Sequence, residues 1–323
     1  MISIIIPVLN EETRINACLN SIFLSTYKDF EVILVDDGST DDTLGHANKY
    51  EVQIYRSNKE GPAYARNIGI KKARGDIFFF IDADVEIQPK NLQQIIDTFE
   101  QKKDISAIIG MRTKKSINKG ITPNYWALWK YYMYKKTTGE YIDFFSTNRG
   151  AIKRSALEDV GGFDTIYKKA DIEDYELGYR LREKGHMIYF NKDIEVSHHF
   201  PNLISSIKKT FRRNIYWTKI FIRRKKFDSV DITVDRGILA GVSFLILLLA
   251  IMGIFYNSLI YLDILLILSF LMLNGGLFAF ILKEKGFKFF IYSIGINYIF
   301  SITLVLSAIT SILGLVGLVI RKE

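Results

Sequence analysis

From residue 238 to residue 256 the chain runs for 19 positions without a charged side chain. A helix rises about 1.5 Å per residue, so such a run nearly matches the roughly 30 Å hydrocarbon core of a bilayer. Residues 258–282 form a second run with only Asp263 charged, and 287–320 a third with only Lys288 charged. As one helix the third would be about 51 Å long, too long for a simple span. It reads as an interfacial helix followed by a span, or as a tight hairpin of two short ones. The tail is therefore expected to hold about three transmembrane helices. A soluble helical domain is the alternative, but runs of this length and purity are uncommon in soluble folds. Only before about residue 235 does the chain mix charged and apolar residues as a soluble domain does.

The formal net charge of +8 is concentrated just ahead of that tail. Lys208, Lys209, Arg212, Arg213, Lys219, Arg223, Arg224, Lys225 and Lys226 lie in one segment with no acidic residue. Such a run suits nucleic acid or the anionic cytoplasmic leaflet. Its position before an apolar stretch favours membrane lipids as the partner and argues against nucleic acid. The positive-inside rule then places the N-terminal domain in the cytoplasm, and the basic loop at 283–288 returns to that side. The number of spans decides the side of Arg321 and Lys322. The expected division is a catalytic domain at 1–200, a basic interfacial helical segment at 201–236 and transmembrane helices at 237–323. One cysteine, Cys18, precludes an intrachain disulfide, as suits a reducing compartment, and reads as a buried apolar residue. The N-terminal apolar run is short, strand-like and without a basic n-region, so it does not read as a signal peptide.

Within the first 200 residues strands and helices alternate. Residues 2–9 form a continuous apolar run, as in a strand buried on both faces of a parallel sheet, ended by Pro7. Residues 13–24 follow with helical spacing, in which Ile15, Leu19, Ile22 and Phe23 share a face. Residues 30–35 and 52–56 read as further strands, 61–72 as a loop entering a helix, and 76–84 as a strand ending in carboxylates. This alternation predicts an α/β fold with a mainly parallel sheet. Ligands bind such sheets beyond the carboxyl ends of the strands. There the sequence gathers Asn10-Glu11-Glu12, Asp36-Asp37 and Asp82-Ala83-Asp84 on one rim. No glycine-rich phosphate loop is present. A rim of carboxylates repels a diphosphate unless a divalent cation lies between them, and Mg²⁺ and Mn²⁺ prefer oxygen ligands of this kind. A lone D-x-D is often only a turn. At the end of a buried strand, with two other acidic clusters nearby, it becomes the central candidate.

These residues also carry a family resemblance. The segment 3–12, Val35-Asp-Asp-Gly-Ser-Thr-Asp-Asp-Thr43, Gly61-Pro-Ala-Tyr-Ala-Arg-Asn-Ile-Gly69 and Asp82-Ala83-Asp84 resemble, in order, the signature blocks of family 2 glycosyltransferases with the GT-A fold. Asn148-Arg-Gly-Ala-Ile-Lys-Arg154, Val160-Gly-Gly-Phe-Asp164 and Glu173-Asp-Tyr-Glu-Leu-Gly-Tyr-Arg-Leu-Arg182 are similar to later blocks, so the resemblance covers roughly 1–215. It implies a Rossmann-like nucleotide-diphospho-sugar transferase fold ahead of the helical tail. It implies that Pro7, Leu9 and Glu11 line the nucleotide pocket, that Asp37 contacts the base with Asp36 beside it, and that Arg66 belongs to the donor site. Asp82 would face the ribose or sugar and join Asp84 as a metal ligand. A further ligand would come from His198 or His199, with His198 preferred. The implied cofactor is Mg²⁺ or Mn²⁺, and UDP is the family-level expectation for the nucleotide.

Inverting sugar transfer needs a base for the acceptor hydroxyl. The resemblance places it in the Glu173-Asp174 pair, with Asp174 as the base and Glu173 as its substitute; a solvated acidic helix start is the bland alternative. Gly161 and Gly162 are expected to turn the chain near the sugar and acceptor. The aromatic segment 125–134 either borders a lipid-linked acceptor at the headgroup region or packs ordinarily. Residues 212–217 lack the Q-x-x-R-W of processive synthases, which favours transfer of a single sugar. The expected reaction is transfer from a nucleotide sugar to a hydroxyl of a lipid-linked or cell-envelope glycan acceptor at the membrane. A polyprenyl-phosphate sugar synthase and a catalytically silent scaffold are the alternatives.

Overall fold

The structure, a computed structural model, describes residues 1–169, 171–226 and 233–320, with side chains described to residue 314. It forms two compact units: one of residues 1–117 and 137–199, the other of 118–136 and the chain from 200 onward. The first unit holds β1 (Ile2–Val8), α1 (Ile15–Phe23), β2 (Phe30–Asp36), α2 (Thr43–Ala47), β3 (Gln53–Arg56), α3 (Pro62–Lys72), β4 (Ile77–Phe80), β5 (Val85–Ile87), α4 (Asn91–Gln101) and β6 (Ile105–Ser116). The second unit takes α5 (Ile121–Lys136), and the first resumes with β7 (Gly150–Lys153), α6 (Arg154–Asp159), α7 (Glu173–Glu183) and β8 (Met187–His198).

One eight-stranded sheet runs in the order β3-β2-β1-β4-β7-β6-β8-β5. The pairs β1–β2, β1–β4, β2–β3 and β6–β8 are parallel, and β4–β7, β6–β7 and β5–β8 antiparallel. The sheet is therefore mixed, with the expected parallel half around β1. Ile2, Ile4, Ile5 and Ile6 of β1 are fully buried, as are Phe78, Phe79 and Phe80 of β4. Both strands are covered on both faces, which is why their sequences are continuously apolar instead of alternating. Pro7 does not end β1: it pairs with Val35, and the strand continues to Val8. On α1 the buried face is Ile15, Cys18, Leu19 and Ile22, with Phe23 only half-buried. Two glycines set helix positions. A Cβ on Gly69 of α3 would lie 2.5 Å from Ile5 Cγ2, and one on Gly178 of α7 would lie 2.1 Å from the Phe145 backbone nitrogen. Glycine at these positions lets each helix approach its neighbour closely.

The second unit contains α5, α8 (Leu203–Arg224), α9 (Val234–Gly253), α10 (Ile260–Leu273), α11 (Gly275–Lys285) and α12 (Phe287–Ile320). The segment 118–136, which sequence reasoning left inside the catalytic domain, groups with these helices. Its aromatic residues are ordinary packing partners there: Tyr125 and Trp129 are buried, and the Trp126 ring lies 4.6 Å from that of Phe300. Helices α9 and α12 are long and apolar enough to cross a membrane. The other two apolar runs depart from expectation. Residues 258–282 do not make one straight span, because α10 and α11 meet at Asn274 with a bend of 65°. Residues 287–320 form one continuous helix instead of a hairpin or an interfacial helix and a span. No proline interrupts this run, and its Ser and Thr side chains return hydrogen bonds to the preceding turn, as Ser293 does to Phe289 O and Thr303 to Ile299 O. Arg321 and Lys322 lie outside the described residues.

Glu31 at the start of β2 clamps three segments. Its carboxylate accepts from Ser3 Oγ (2.7 Å), the Arg74 backbone nitrogen (2.6 Å), Arg74 Nε (3.0 Å) and Gln53 Nε2 (2.8 Å). Burial pushes this carboxyl up, but the bonds from Arg74, Ser3 and Gln53 outweigh it and hold the pKa at about 2, below the ordinary 4.5. A depressed carboxyl stabilises the fold above its ordinary value and loses that contribution as pH falls towards 2. The shift corresponds to about 3 kcal/mol. Glu31→Gln is expected to lower the melting temperature at pH 7, with the gap to the parent closing between pH 4.5 and pH 2. Thermal unfolding of both proteins across that range checks it.

Candidate functional site

The carboxyl ends of β1, β2 and β4 lie side by side in the parallel part of the sheet, and the chain leaves each through a polar loop. The loops after β1 and β2 are joined through side chains. Asn10, at φ 55°, donates its backbone N–H to Ser39 Oγ (3.0 Å) and accepts from the Thr40 backbone (2.8 Å). The Glu11 N–H donates to Thr43 Oγ1 (2.7 Å) and the Glu12 N–H to Asp41 (3.1 Å), while the Glu12 carboxylate accepts from the Asp42 N–H (3.0 Å). Much of Asn10-Glu-Glu and of Gly38-Ser-Thr-Asp-Asp therefore serves to satisfy loop backbone, which a buried or half-buried loop requires. On this rim Pro7 is half-buried and Leu9 is 46% exposed.

Asp36 and Asp37 are both buried. Asp36 accepts from the Ser39 N–H (2.9 Å) and closes the turn. Asp37 accepts from Ser57 Oγ and from the backbone of Glu60 (3.0 Å) and Gly61 (2.9 Å), so it anchors the loop entering α3. Gly61 has φ 95° and a Cβ there would strike Lys168 O at 2.4 Å, so only glycine fits. Glu11 faces Arg14 at 2.5 Å. Burial raises its carboxyl to about 7 against the pull of Arg14, with the charges of Asp84 and Asp82 adding to the rise.

Arg66 of α3 is 2% exposed. Its Nη2 donates to Asp82 Oδ1 and its Nη1 to Glu173 Oε1, each at 2.8 Å. The guanidinium also lies 5.6 Å from the centre of the Phe163 ring. One side chain thus joins the end of β4, the Gly161-Gly162-Phe163 turn and the start of α7. Burial opposes the charge on Arg66, but Asp82, Glu173 and Asp174 hold it. Asp82 and Glu173, nominated for separate roles, are brought to one cation. Asp174 is also buried; it accepts from the Thr147 N–H (3.4 Å) and from its own helix at Tyr175 (3.0 Å).

Asp84 lies beside β8, which ends at His198 opposite Val85. His198 Nε2 is 3.5 Å from Asp84 Oδ1, and the His199 N–H donates to Asp84 O (3.0 Å). Of the two histidines it is the buried His198 ring that meets the carboxylate. Burial lowers the His199 ring pKa, with Asp84 pulling the other way. Among the described residues no three His, Cys, Asp or Glu side chains stand close enough to hold a metal by themselves. Asp82 is drawn off by Arg66, leaving Asp84 with His198. One carboxylate and one imidazole suit Mg²⁺ or Mn²⁺ when substrate phosphates and water complete the shell.

Three supports escaped the sequence reading. Asn67 pairs with Phe163 as a strand would, donating to its carbonyl (2.8 Å) and accepting from its N–H (3.0 Å). Arg180 donates to Gly162 O (2.7 Å) and to Val160 O, with Glu176 holding its guanidinium (2.7 and 2.8 Å). Gly161 and Gly162, at φ 80° and 77°, make the tight turn between these clamps. Ser57 is the third, on Asp37. Asn67 and Arg180 stand inside recognisable blocks, but only their position relative to the turn reveals their task.

Arg66→Met is expected to destabilise the protein by about 3–5 kcal/mol, because it strands two carboxylates around a buried gap. Adding Asp82→Asn and Glu173→Gln should recover much of that loss by removing the stranded charges. Thermal unfolding in detergent of the parent, the single and the triple variant checks both expectations.

Residues 3–161 match the family model described as glycosyl transferase family 2. A dolichyl N-acetyl-alpha-D-glucosaminyl phosphate 3-beta-D-2,3-diacetamido-2,3-dideoxy-beta-D-glucuronosyltransferase of Methanococcus voltae is 30% identical over 66% of this chain and 70% of its own. Glycosyltransferase GlyG of Streptococcus pneumoniae is 26% identical over 50% of this chain, which spans 48% of GlyG. Among solved structures, the mannosyltransferase PcManGT from Pyrobaculum calidifontis, in complex with GDP-Man and Mn²⁺, superposes with a TM-score of 0.59. That likeness covers 96% of this chain and 86% of that one at 16% identity. TarS 1–349 of S. aureus in complex with UDP-GlcNAc gives 0.51 over 67% and 65% at 20% identity. These two likenesses show the GT-A fold. The family model and the Methanococcus relative carry the assignment further: the chain belongs to glycosyl transferase family 2 and is a glycosyltransferase.

Proposed function

We propose that the chain is an inverting glycosyltransferase that moves one sugar from a nucleotide diphosphate donor, with UDP the expected nucleotide, to a hydroxyl of a lipid-linked or cell-envelope acceptor. The observation that carries the reading is the shared guanidinium of Arg66, which ties Asp82 of the donor rim to Glu173 of the acid/base pair. Donor and base groups thereby belong to one site. Pro7, Leu9 and Glu11 line the nucleotide side, and Asp36 and Asp37 hold the loop beside it. Asp84 and His198 would hold a Mg²⁺ or Mn²⁺ ion, which when bound offsets charge on the departing diphosphate.

The pair Glu173 and Asp174 divides by environment. Glu173 accepts from Arg66 Nη1 (2.8 Å) and from the Asp171 N–H (2.9 Å), which hold its carboxylate in place as a positioning group. Asp174, beside it in the first turn of α7, accepts from the Thr147 and Tyr175 backbone N–H groups and is the base in this reading. It takes the acceptor hydroxyl proton as that oxygen attacks the anomeric carbon, while the bond from that carbon to the diphosphate oxygen breaks. The turn at Gly161–Gly162, held by Asn67 and Arg180, fixes Phe163 beneath Arg66 and keeps the site in place while it is empty.

The acceptor reading draws on the Methanococcus voltae relative, whose name specifies a dolichyl-linked sugar phosphate. A sugar on a lipid carrier offers a hydroxyl and so requires a base, whereas a bare polyprenyl phosphate does not. The apolar helices α9 and α12 and the basic run on α8 fit an enzyme of the membrane with its catalytic unit in the cytoplasm. The test is hydrolysis of a panel of nucleotide sugars by protein purified in detergent, with Mn²⁺, Mg²⁺ or chelator. Release of one nucleoside diphosphate should require metal and fall at least 100-fold in Asp84→Asn. Transfer to a lipid-linked sugar should fall by about 10²–10⁴ in Asp174→Asn. Full turnover by Asp174→Asn with a polyprenyl phosphate acceptor would instead make the enzyme a sugar-phosphate lipid synthase. Absence of donor binding in folded protein would make it a silent scaffold.

A further inference from the structure

The helical unit contains a cavity of about 270 Å³ that the glycosyl-transfer site does not use. Helices α5, α9, α10, α11 and α12 line it. Its walls carry Trp126, Trp129 and Tyr132 from α5, Ile238 and Leu239 from α9, Leu277 from α11 and Leu304 from α12. Apolar helices packed only against each other would fill such a space with apolar side chains. Here it also exposes Lys136, Asp235, Arg236, Asn274, Asn297 and Ser301. Asn274, Asn297 and Ser301 are at most 8% exposed. Asn274 and Ser301 return hydrogen bonds to Phe270 O and Asn297 O of their own turns, so the groups that set this cavity apart are the ionisable Lys136, Asp235 and Arg236, which are costly inside apolar helices unless they serve a site.

Three features give the cavity a preference for anions. Lys136 and Arg236 contribute two cations against the single carboxylate of Asp235. Arg236 is positioned, with its guanidinium 4.8 Å from the centre of the Trp129 ring. The first turn of α9 lines the space through Asp235 and Arg236, and a helix N-terminus carries partial positive charge. The end of α10 at Leu273 and the start of α11 at Asn274 and Leu277 line it as well, where the two helices meet with a bend of 65°. An interrupted helix at membrane depth is tolerated where it lines a cavity or is buried in protein.

We propose that this cavity is a lipid-phosphate site: it takes the phosphate of an amphipathic lipid at Arg236 and Lys136 and the first carbons of its chain along Ile238, Leu239, Leu277 and Leu304. The proposal rests on the reading that the helical unit is embedded in membrane. Two sources share this chemistry, an isoprenoid phosphate and a bulk phospholipid.

The test uses full-length protein in detergent micelles and follows tryptophan fluorescence, since two of the three tryptophans line the cavity. The probes are a polyprenyl phosphate, phosphatidylglycerol and the uncharged polyprenol. Saturable binding of a phosphate-bearing lipid, weakened about 10-fold or more in Arg236→Gln and in Lys136→Gln, is expected for loss of a charge-assisted contact. Leu304→Trp, which fills the space and keeps both cations, should abolish it. Preference for the polyprenyl phosphate over phosphatidylglycerol assigns an isoprenoid carrier; equal competition assigns bulk phospholipid. Either outcome supports a lipid-phosphate site. Equal binding of polyprenol, or binding unchanged in both cation variants, overturns it, as does absence of binding by any probe. Metal-dependent donor hydrolysis is measured in parallel on each variant. If it persists, the variants are folded and the result judges the cavity alone. If the parent hydrolyses no donor yet binds the lipid, the glycosyl-transfer reading fails and the lipid site stands.

Discussion

Arg66 is buried, and its charge is held by carboxylates from two distant parts of the chain. A buried guanidinium is tolerable only when its donors meet acceptors of opposite charge, and a buried carboxylate has the converse need. Each partner here therefore requires the other. Asp82 sits where β4 leaves the sheet, and Glu173 opens α7. Holding them 2.8 Å from a single rigid fork sets the start of α7 relative to the strand end. Asp174 inherits its place from that constraint, and Phe163 is set against the same guanidinium from the other side. Around this centre further side-chain clamps hold the loops. Asn67 and Arg180 fix the double-glycine turn, and Asp37 fixes the loop ahead of α3.

The helical unit distributes polarity in the opposite sense to the catalytic unit. Leu245, Leu248 and Ile251 of α9 are exposed, while Ser243 on the same helix is fully buried. On α12, Ser293, Asn297, Ser301 and Ser307 are buried and Ile291, Leu306 and Ile309 exposed. A protein dissolved in water buries its apolar side chains and leaves polar ones outside. Helices that face lipid have no such incentive and associate through small and polar residues. The pattern along α9 and α12 follows the second rule.

The parts legible in the sequence are those decided by local chemistry. β1 and β4 announce themselves because both faces are covered, and the D-x-D follows at once. The GT-A fold and the family follow from blocks that survive as contiguous strings. What escapes is decided by pairing at long range. The strands β5 and β7 are short and the β6–β8 pairing is irregular, and nothing near Asp84 specifies that His198 will lie opposite its neighbour. The bridge through Arg66 joins residues 107 positions apart, so nothing local tells that Glu173 bonds to that guanidinium. The acidic run after β2 is in part loop scaffold: the Asp41 carboxylate accepts from the Glu12 N–H, and the Asp42 N–H donates to the Glu12 carboxylate. In the tail, hydropathy reports the apolar runs but not their bends, since Asn274 and two glycines suffice to break a helix whose composition is otherwise uniform.

The distances in sequence between bonded partners also order events during synthesis. β1, β2 and β4 pair within the first 80 residues, so the acidic rim is available early. The catalytic unit closes only when β8 has been made and His198 has paired with Val85. Residues 199–233 then separate that strand from α9, the first helix apolar and long enough to enter a bilayer. Chains emerge N-terminus first and domains fold as units. The strands of the catalytic unit are therefore all made before α9, the first described helix long and apolar enough to cross a membrane. Folding of the sheet and packing of the apolar helices are thus separable in time, and a defect in one need not be a defect in the other.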